Sequence, residues 1–160
     1  MKSKSSWSGL VGAACVGLAL AAPAAGQSQV AGRGSPDHGR CSNRTLQGAY
    51  AFAIEGVFVD APTAVPLRGV AVTTFDGRGR LTQVDHVVFG GTPPPVDWTP
   101  ATGTYRINAD CTGQMDLDIP GSPFTPVVLR LSIGANGTHI NTVVSKPGYV
   151  VSSTATKIEQ

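Results

Sequence analysis

The residues of this chain that could perform acid–base chemistry are few, and they lie in stretches that alternate between two faces. His86 stands in the alternating stretch 80–89, and Glu55 shares a strand face with three alanines. An imidazole titrates near neutral pH, and burial among small apolar residues would raise the pKa of a carboxyl. If these side chains point into a cavity, they can transfer protons there together with the hydroxyl of Tyr50.

The same alternation also allows the opposite orientation for both side chains. If Val87 and Phe89 face inward, His86 faces solvent, and Glu55 is solvated if Phe52 and its neighbours fill the interior. We expect the solvent-facing orientation, because the interior of a barrel needs bulky side chains to fill it. The chain contains neither a G-x-S-x-G nor an H-E-x-x-H motif. The sequence therefore favours a protein that is not an enzyme. If the protein is an enzyme, its catalytic candidates are Glu55 and His86.

Composition and charge argue against several classes of partner. The chain has 12 Lys and Arg against 10 Asp and Glu, and the excess comes from Lys2 and Lys4 near its start. Binding to a nucleic-acid backbone depends on basic patches, so we expect no nucleic-acid partner. The turn FDGRGRL lacks the further carboxylates of a calcium loop, and one isolated pair of cysteines is a poor metal site. We expect neither a metal ion nor a cofactor.

The first residues predict export. Lys2 and Lys4 precede an apolar core at 10–22, and the small residues that follow offer signal-peptidase sites. A transmembrane anchor is the alternative, but the apolar run is short for a span and ends in Pro and Gly. We predict a signal peptide at 1–26, a disordered lead-in at 27–40 and a single secreted or periplasmic domain at 41–158.

Two cysteines remain after that cleavage, Cys41 and Cys111. An even pair in an exported chain predicts a disulfide, and two separate buried thiols are the alternative. Closing so long a loop lowers the conformational entropy of the unfolded chain, which would stabilise the fold by roughly 4 kcal/mol on the loop-entropy model. We expect the bond to serve stability rather than chemistry.

From residue 48 onward the hydrophobic pattern has a period of two, and helical spacing is absent. The alternation is cleanest at 113–119 and 127–133, and turn signals such as Asp76-Gly77 separate the segments. The stretch 90–100 holds four prolines, so we predict a loop there rather than a central strand. Eight strands are predicted, at 49–59, 67–75, 80–89, 102–107, 113–119, 127–133, 138–145 and 149–158.

Eight sequential strands with short connections predict an all-β fold, an antiparallel up-and-down barrel. In such a barrel the start of the first strand and the turn after the fourth lie at the same end, which brings Cys41 near Cys111. A two-sheet β-sandwich with Greek-key connections is the alternative. A lipid-facing barrel is disfavoured because outward positions include Gln114, Asp116 and Arg130, so we expect no membrane insertion.

The other end of the predicted barrel collects the longer loops, and barrel mouths are frequent ligand sites. We predict binding of a small, mainly apolar molecule, with Trp98 and Phe124 at the rim. One alternative is a cyclase or isomerase working in the lumen, and another is a structural module with a filled core. The predicted wall consists of six residues: Tyr50, Phe52, Met115, Leu117, Leu129 and Leu131.

Four segments, CSNRTLQGAY, TTFDGRGRLT, GTYRINADCTGQM and GYVVSSTATK, resemble secreted bacterial proteins that are similar to the calycin and allene-oxide-cyclase-like barrels. The resemblance covers most of residues 41–158 and consists of turn and strand signatures. It implies a barrel in a group that includes carriers of small apolar molecules and cyclases that shape a reactive substrate in the lumen. None of the cyclase catalytic residues has a counterpart in this chain, so the resemblance implies no catalytic assignment.

Overall fold

The structure is a computed structural model, and it describes residues 40–59 and 62–158. The expected signal peptide at 1–26 lies outside the described residues, and so does the expected lead-in apart from Arg40. None of the helices in the described ranges is both long enough and apolar enough to span a bilayer.

Eight antiparallel strands, each paired with the next in the chain and the last with the first, form a closed barrel. The predicted up-and-down barrel is therefore confirmed, and the sandwich alternative is wrong because its sheets would not close into one cylinder. Two short 3₁₀ turns, Asn43–Thr45 and Ala135–Gly137, accompany the strands. The strands are β1 (Gln47–Phe58), β2 (Val65–Asp76), β3 (Arg80–Phe89), β4 (Thr99–Ile107), β5 (Thr112–Asp118), β6 (Val127–Gly134), β7 (His139–Val144) and β8 (Tyr149–Lys157).

The turn between β2 and β3 shows how local chemistry fixes the register. Gly77 and Gly79 have φ values of 74° and 111°, in the left-handed region that side chains disfavour. The Oδ1 atom of Asp76 accepts hydrogen bonds from the backbone N–H groups of Arg78, at 2.7 Å, and Arg80, at 3.0 Å. These bonds lower the pKa of the Asp76 carboxyl. The turn then pairs Phe75 directly with Leu81.

Strand β4 begins earlier than the sequence predicts. It includes Thr99 and Pro100, which pair with Asp85 and Val84 of β3, although the stretch 90–100 was predicted to be a loop. Proline removes one ladder donor, but its fixed φ is compatible with extended backbone at the start of a strand. The prediction was therefore wrong for these two residues, and Pro100 lies exposed on the outer face.

A disulfide between Cys41 and Cys111 staples one end of the barrel, with 5.0 Å between the two Cα atoms. This confirms the predicted pair. Cys111 has a φ of 66°, a conformation in which Gly or Asn is the usual residue. Cys111 therefore occupies a turn position that backbone conformation alone would favour for Gly or Asn, which agrees with a role in cross-linking.

The segment that follows Cys41 plugs the stapled end. Leu46 is fully buried, and the hydroxyl of Tyr105 donates to the carbonyl oxygens of Asn43, at 3.1 Å, and Leu46, at 3.0 Å. The Asn43 side chain in turn accepts a hydrogen bond from the backbone N–H of Ile107, at 2.8 Å. Backbone and side chains together close this end of the lumen.

Aromatic packing fills the stapled half of the interior. The Phe75 ring forms T-shaped pairs with the rings of Tyr50 and Tyr105, with centroid distances of 5.4 Å and 5.0 Å respectively. Met115 and Ile140 complete this cluster and are as thoroughly buried. The interior is therefore solid at the disulfide end, and any cavity must lie toward the opposite end.

Candidate ligand-binding lumen

Burial of the inward-facing residues falls from the disulfide end toward the mouth. Near the disulfide these side chains are almost completely buried, whereas Ile54, Val87, Val127 and Val144 are only half-buried although they face the interior. The lumen therefore opens at the end that carries the long connections. A cavity of about 580 Å³ occupies this region, a size within the usual range for small-molecule sites.

The wall of the cavity is mainly apolar. Five of the eight residues predicted to bind a ligand line it, and its floor is formed by buried side chains of β1 and β5 such as Phe52 and Met115. Tyr50 and Leu131 do not line it, because they pack in the filled half, where the Tyr50 hydroxyl donates to the carbonyl of Gly137 at 2.5 Å. The five predicted residues that line the cavity are Phe52, Met115, Leu117, Phe124 and Leu129.

An aromatic cluster stands at the mouth. Phe58 at the end of β1, Phe124 in the loop before β6 and Tyr149 at the start of β8 have ring centroids 5.1 to 5.9 Å apart. The ammonium of Lys146 donates to the carbonyl of Phe124 at 2.5 Å, which ties this loop to the β7–β8 connection. Phe58 and Tyr149 were not predicted as rim residues, because their neighbourhood depends on three separate parts of the chain.

Trp98, the other predicted rim residue, does not line the cavity. Its side chain is 52% exposed and lies against His86 on the outer face, with ring centroids 6.3 Å apart. The Nδ1 atom of His86 is 2.6 Å from the carbonyl oxygen of Asp97, which anchors the loop to the sheet. The structure thus places Trp98 and His86 together, but outside the lumen.

Glu55 also lies on the outer face. Its carboxylate is 3.7 Å from the guanidinium of Arg68, and the two side chains are 67% and 68% exposed. Such solvent-exposed pairs contribute little to stability, because water screens both charges. Neither Glu55 nor His86 reaches the lumen, so neither can act on a molecule bound there.

A hydrogen-bonded chain of polar side chains faces the lumen from β2 and β3. The hydroxyl of Thr73 donates to Oε1 of Gln83 at 2.7 Å, and Nε2 of Gln83 donates to Oδ2 of Asp85 at 2.9 Å. The carboxylate only accepts hydrogen bonds, which fixes the orientation of the Gln83 amide. All three side chains are buried, and Gln83 and Asp85 line the cavity.

Asp85 is the one buried Asp, Glu, Lys, Arg or His in the described part of the chain. Burial raises the pKa of its carboxyl, while the Gln83 hydrogen bond and the nearby His86 partly oppose that shift. Desolvating a carboxylate that has no cationic partner costs roughly several kcal/mol of stability, even after the protein relaxes around it. Leucine or valine at this position would serve stability better, so Asp85 is the strongest functional candidate in the lumen.

A second, neutral polar pair lies on the opposite wall. The hydroxyls of Thr142 on β7 and Ser153 on β8 are 2.6 Å apart and bonded to each other. Strands β3 and β7 are four strands apart in either direction around the closed barrel. This pair therefore lies across the lumen from Gln83 and Asp85. Within the described residues, no group of three or more His, Cys, Asp or Glu side chains could hold a metal ion.

Sequence reasoning missed Asp85, although a signal was present. Once Val87 and Phe89 are placed inside, strict alternation also places Gln83 and Asp85 inside. Polar residues on the apolar face of a strand were therefore the informative feature.

Asp85→Asn is expected to stabilise the protein near neutral pH and to have little effect below about pH 4, where carboxyls in unfolded chains are protonated. Because the folded-state pKa is raised, the native protein binds more protons than the unfolded chain in the window between the two pKa values. Native stability therefore falls as pH rises through that window and then levels off. Urea unfolding of both proteins across a pH series measures this difference in free energy.

The amide retains an oxygen that can accept from Gln83, so the substitution removes the charge while keeping the shape. The lowered pKa values of Asp76 and Asp110 affect both proteins equally and cancel in the comparison. A stability difference of the same size at every pH would contradict a charge effect at Asp85.

The lumen is an apolar, half-open cavity with an aromatic mouth and one buried carboxyl. Neither family models, nor curated proteins, nor solved structures give a match to this chain.

Proposed function

We propose that this protein binds a small, mainly apolar molecule in the open half of its barrel. The observation that carries the proposal is the division of the interior into a packed half and an open half. A protein that only needed a stable core would gain by filling both halves, since each buried apolar side chain contributes roughly 1.5–3 kcal/mol. The open half is lined by apolar residues of seven strands, which suits a lipophilic ligand.

The mouth supports the same proposal. Phe58, Phe124 and Tyr149 present aromatic surface beside the opening, and the loop residues Pro93 to Pro95 line its other side. Aromatic rings offer large apolar contacts at little loss of side-chain freedom, because few torsions must be fixed. A ligand entering here would contact the rim first and the Phe52–Met115 floor last.

We infer that the binding protein works outside the cytoplasm, secreted or periplasmic. The amino-terminal signal pattern and the Cys41–Cys111 disulfide support this location, because structural disulfides persist in oxidising compartments. The resemblance to calycin and allene-oxide-cyclase-like barrels remains part of the proposal, with the closed up-and-down barrel as its support. No nucleic-acid partner is proposed.

The two alternatives have less support. A lumenal cyclase or isomerase based on Glu55 or His86 lacks its catalytic groups, since both side chains lie outside the barrel. The Tyr50 hydroxyl is bonded in the filled half and does not line the cavity. A structural module with a filled core is disfavoured by the open half of the lumen.

Binding of N-phenyl-1-naphthylamine, an uncharged fluorescent probe, tests the proposal. We expect a saturable rise in emission with one probe per barrel. Leu129→Trp is expected to weaken binding at least about tenfold, because the larger ring occupies space in the wall where a well-fitted ligand gains apolar contact. The measurement is a fluorescence titration of each purified protein.

The matched control is Val143→Trp, which adds the same ring on the outer face, where Val143 is 50% exposed. It should bind the probe as the unmodified protein does. Probe binding that is equally strong in both variants would place the probe outside the lumen and contradict the proposed function. Circular dichroism melting checks that both variants fold.

A further inference from the structure

Asp85 is poorly suited to a lumen that binds only apolar surface. The one ion pair among the described residues joins Arg68 to Glu55 on the outer face, so no cationic side chain balances Asp85 from within the barrel. A purely apolar ligand would displace water from this carboxylate and would not replace the hydrogen bonds that the water donated. A ligand that brings its own hydrogen-bond donor would remove the penalty.

One carboxylate oxygen of Asp85 is available for such a donor. Oδ2 accepts from Gln83 at 2.9 Å, and no hydrogen bond to Oδ1 is formed by the described residues. Those residues also contain no fully buried side-chain nitrogen or oxygen without a partner. Oδ1 is therefore solvent-accessible, and because Asp85 lines the cavity, a ligand there can reach this oxygen.

The immediate surroundings leave room for a ligand group at this oxygen. Asp85 pairs with Ala71 on β2 and with Thr99 on β4, and both side chains are small and do not titrate. The charged group that acts on the Asp85 carboxyl, His86, follows it in the chain and lies on the outer face. A charged ligand group would therefore meet Asp85 without competition from another ion in the lumen.

We propose that the lumen selects lipophilic molecules whose polar end donates hydrogen bonds, with an ammonium group bound best and Oδ1 of Asp85 as its acceptor. This inference rests on the proposed function and names its ligand class. A neutral alcohol can also donate to Oδ1, but without charge attraction. A ligand that ends in a carboxylate places a second negative charge beside the first in a poorly solvated site and is rejected.

The polar pair on the opposite wall does not provide this selectivity. Thr142 and Ser153 carry neutral hydroxyls that can donate or accept, and they already bond to each other. They offer no preference for one sign of ligand charge. The choice between an amine and an acid therefore falls to Asp85.

Isothermal titration calorimetry with three ligands of equal chain length tests the inference directly. Decylamine, 1-decanol and decanoate are titrated into the purified protein near neutral pH, below the concentrations at which they self-associate. We expect decylamine to bind at least about tenfold more tightly than decanoate, the effect of one hydrogen bond to a charged group, with decanol in between. Asp85→Asn should abolish the preference for decylamine over decanoate.

Glu55→Gln is the matched control, because it removes one negative charge from the outer face and leaves the lumen unchanged. It should keep the preference of the unmodified protein, and circular dichroism establishes that both variants are folded. Equal affinity for decylamine and decanoate, or a preference that survives Asp85→Asn, would overturn the selectivity while leaving lumenal binding intact. Failure of all three ligands to bind would overturn the proposed function and the inference together.

Discussion

Phe75→Ala is expected to lower the free energy of unfolding by about 4 kcal/mol, in the range found for removal of a buried phenylalanine. Phe75 is 1% exposed, and its ring joins Tyr50 and Tyr105 through two T-shaped contacts. The alanine variant loses both contacts and leaves a void in the packed half of the barrel. Native domains are stable by only about 5–15 kcal/mol, so the variant should be close to the limit of folding.

Urea unfolding followed by circular dichroism gives the measurement, with a lower midpoint and an unchanged slope as the expected result. Val150→Ala is the matched control, since that side chain is 63% exposed on the outer face, and it should change stability by less than about 0.5 kcal/mol. If Phe75→Ala were as mild as the control, the packed half would not be the main source of stability.

Loss of the disulfide should have an effect of similar size. The Cys41–Cys111 bond closes a loop with a sequence separation of 70, and replacing both cysteines by serine is expected to cost about 4 kcal/mol on the loop-entropy model. The bond also holds the segment that contributes the buried Leu46 to the closed end of the barrel. Freeing that segment exposes part of the aromatic cluster, so the loss should not fall far below the entropic value.

The unfolding midpoint of the double-serine variant can be compared with that of the unmodified protein in reducing agent. The two should agree, because both lack the cross-link and differ only in oxygen or sulfur at two positions. An unchanged midpoint on reduction would show that the pair contributes nothing to stability. Probe binding should persist in the folded fraction, since the cavity lies toward the opposite end.

Much of the fold could be predicted because alternation is a local property of a half-buried strand. The inward set Met115, Leu117 and Leu129 follows from period-two patterning alone, and the structure buries all three. The pairing of Cys41 with Cys111 was predicted from an even pair in an exported chain, and the strand count agreed with it, since four strands separate the two residues and bring both to one end of the barrel. The starts of β2 and β4 were wrong, because Val65 and Pro66, like Thr99 and Pro100, join the sheet despite the prolines.

The candidate site could be predicted only in part. Phe52 and Phe124 line the cavity as expected, but Trp98 lies outside it, because the direction of a long loop depends on contacts such as that between Asp97 and His86. The rim partners Phe58 and Tyr149 come from strands distant in sequence. Asp85 was within reach of the strand pattern, yet only the assembled barrel shows that no other described residue brings a buried charge to the lumen.

The sequence by itself determined the strand order, the disulfide and the inward face of the cleanly alternating strands β5 and β6, because these depend on local periodicity and on chain connectivity. Tertiary structure alone decided which half of the barrel is filled and which is open. That division arises where Tyr50, Phe75 and Tyr105, from three strands, meet at one level, while the aromatic side chains of the described residues nearer the mouth stand at its rim and leave the cavity open. The same assembly leaves Asp85 facing the open half, since burial and charge balance are properties of the whole closed barrel.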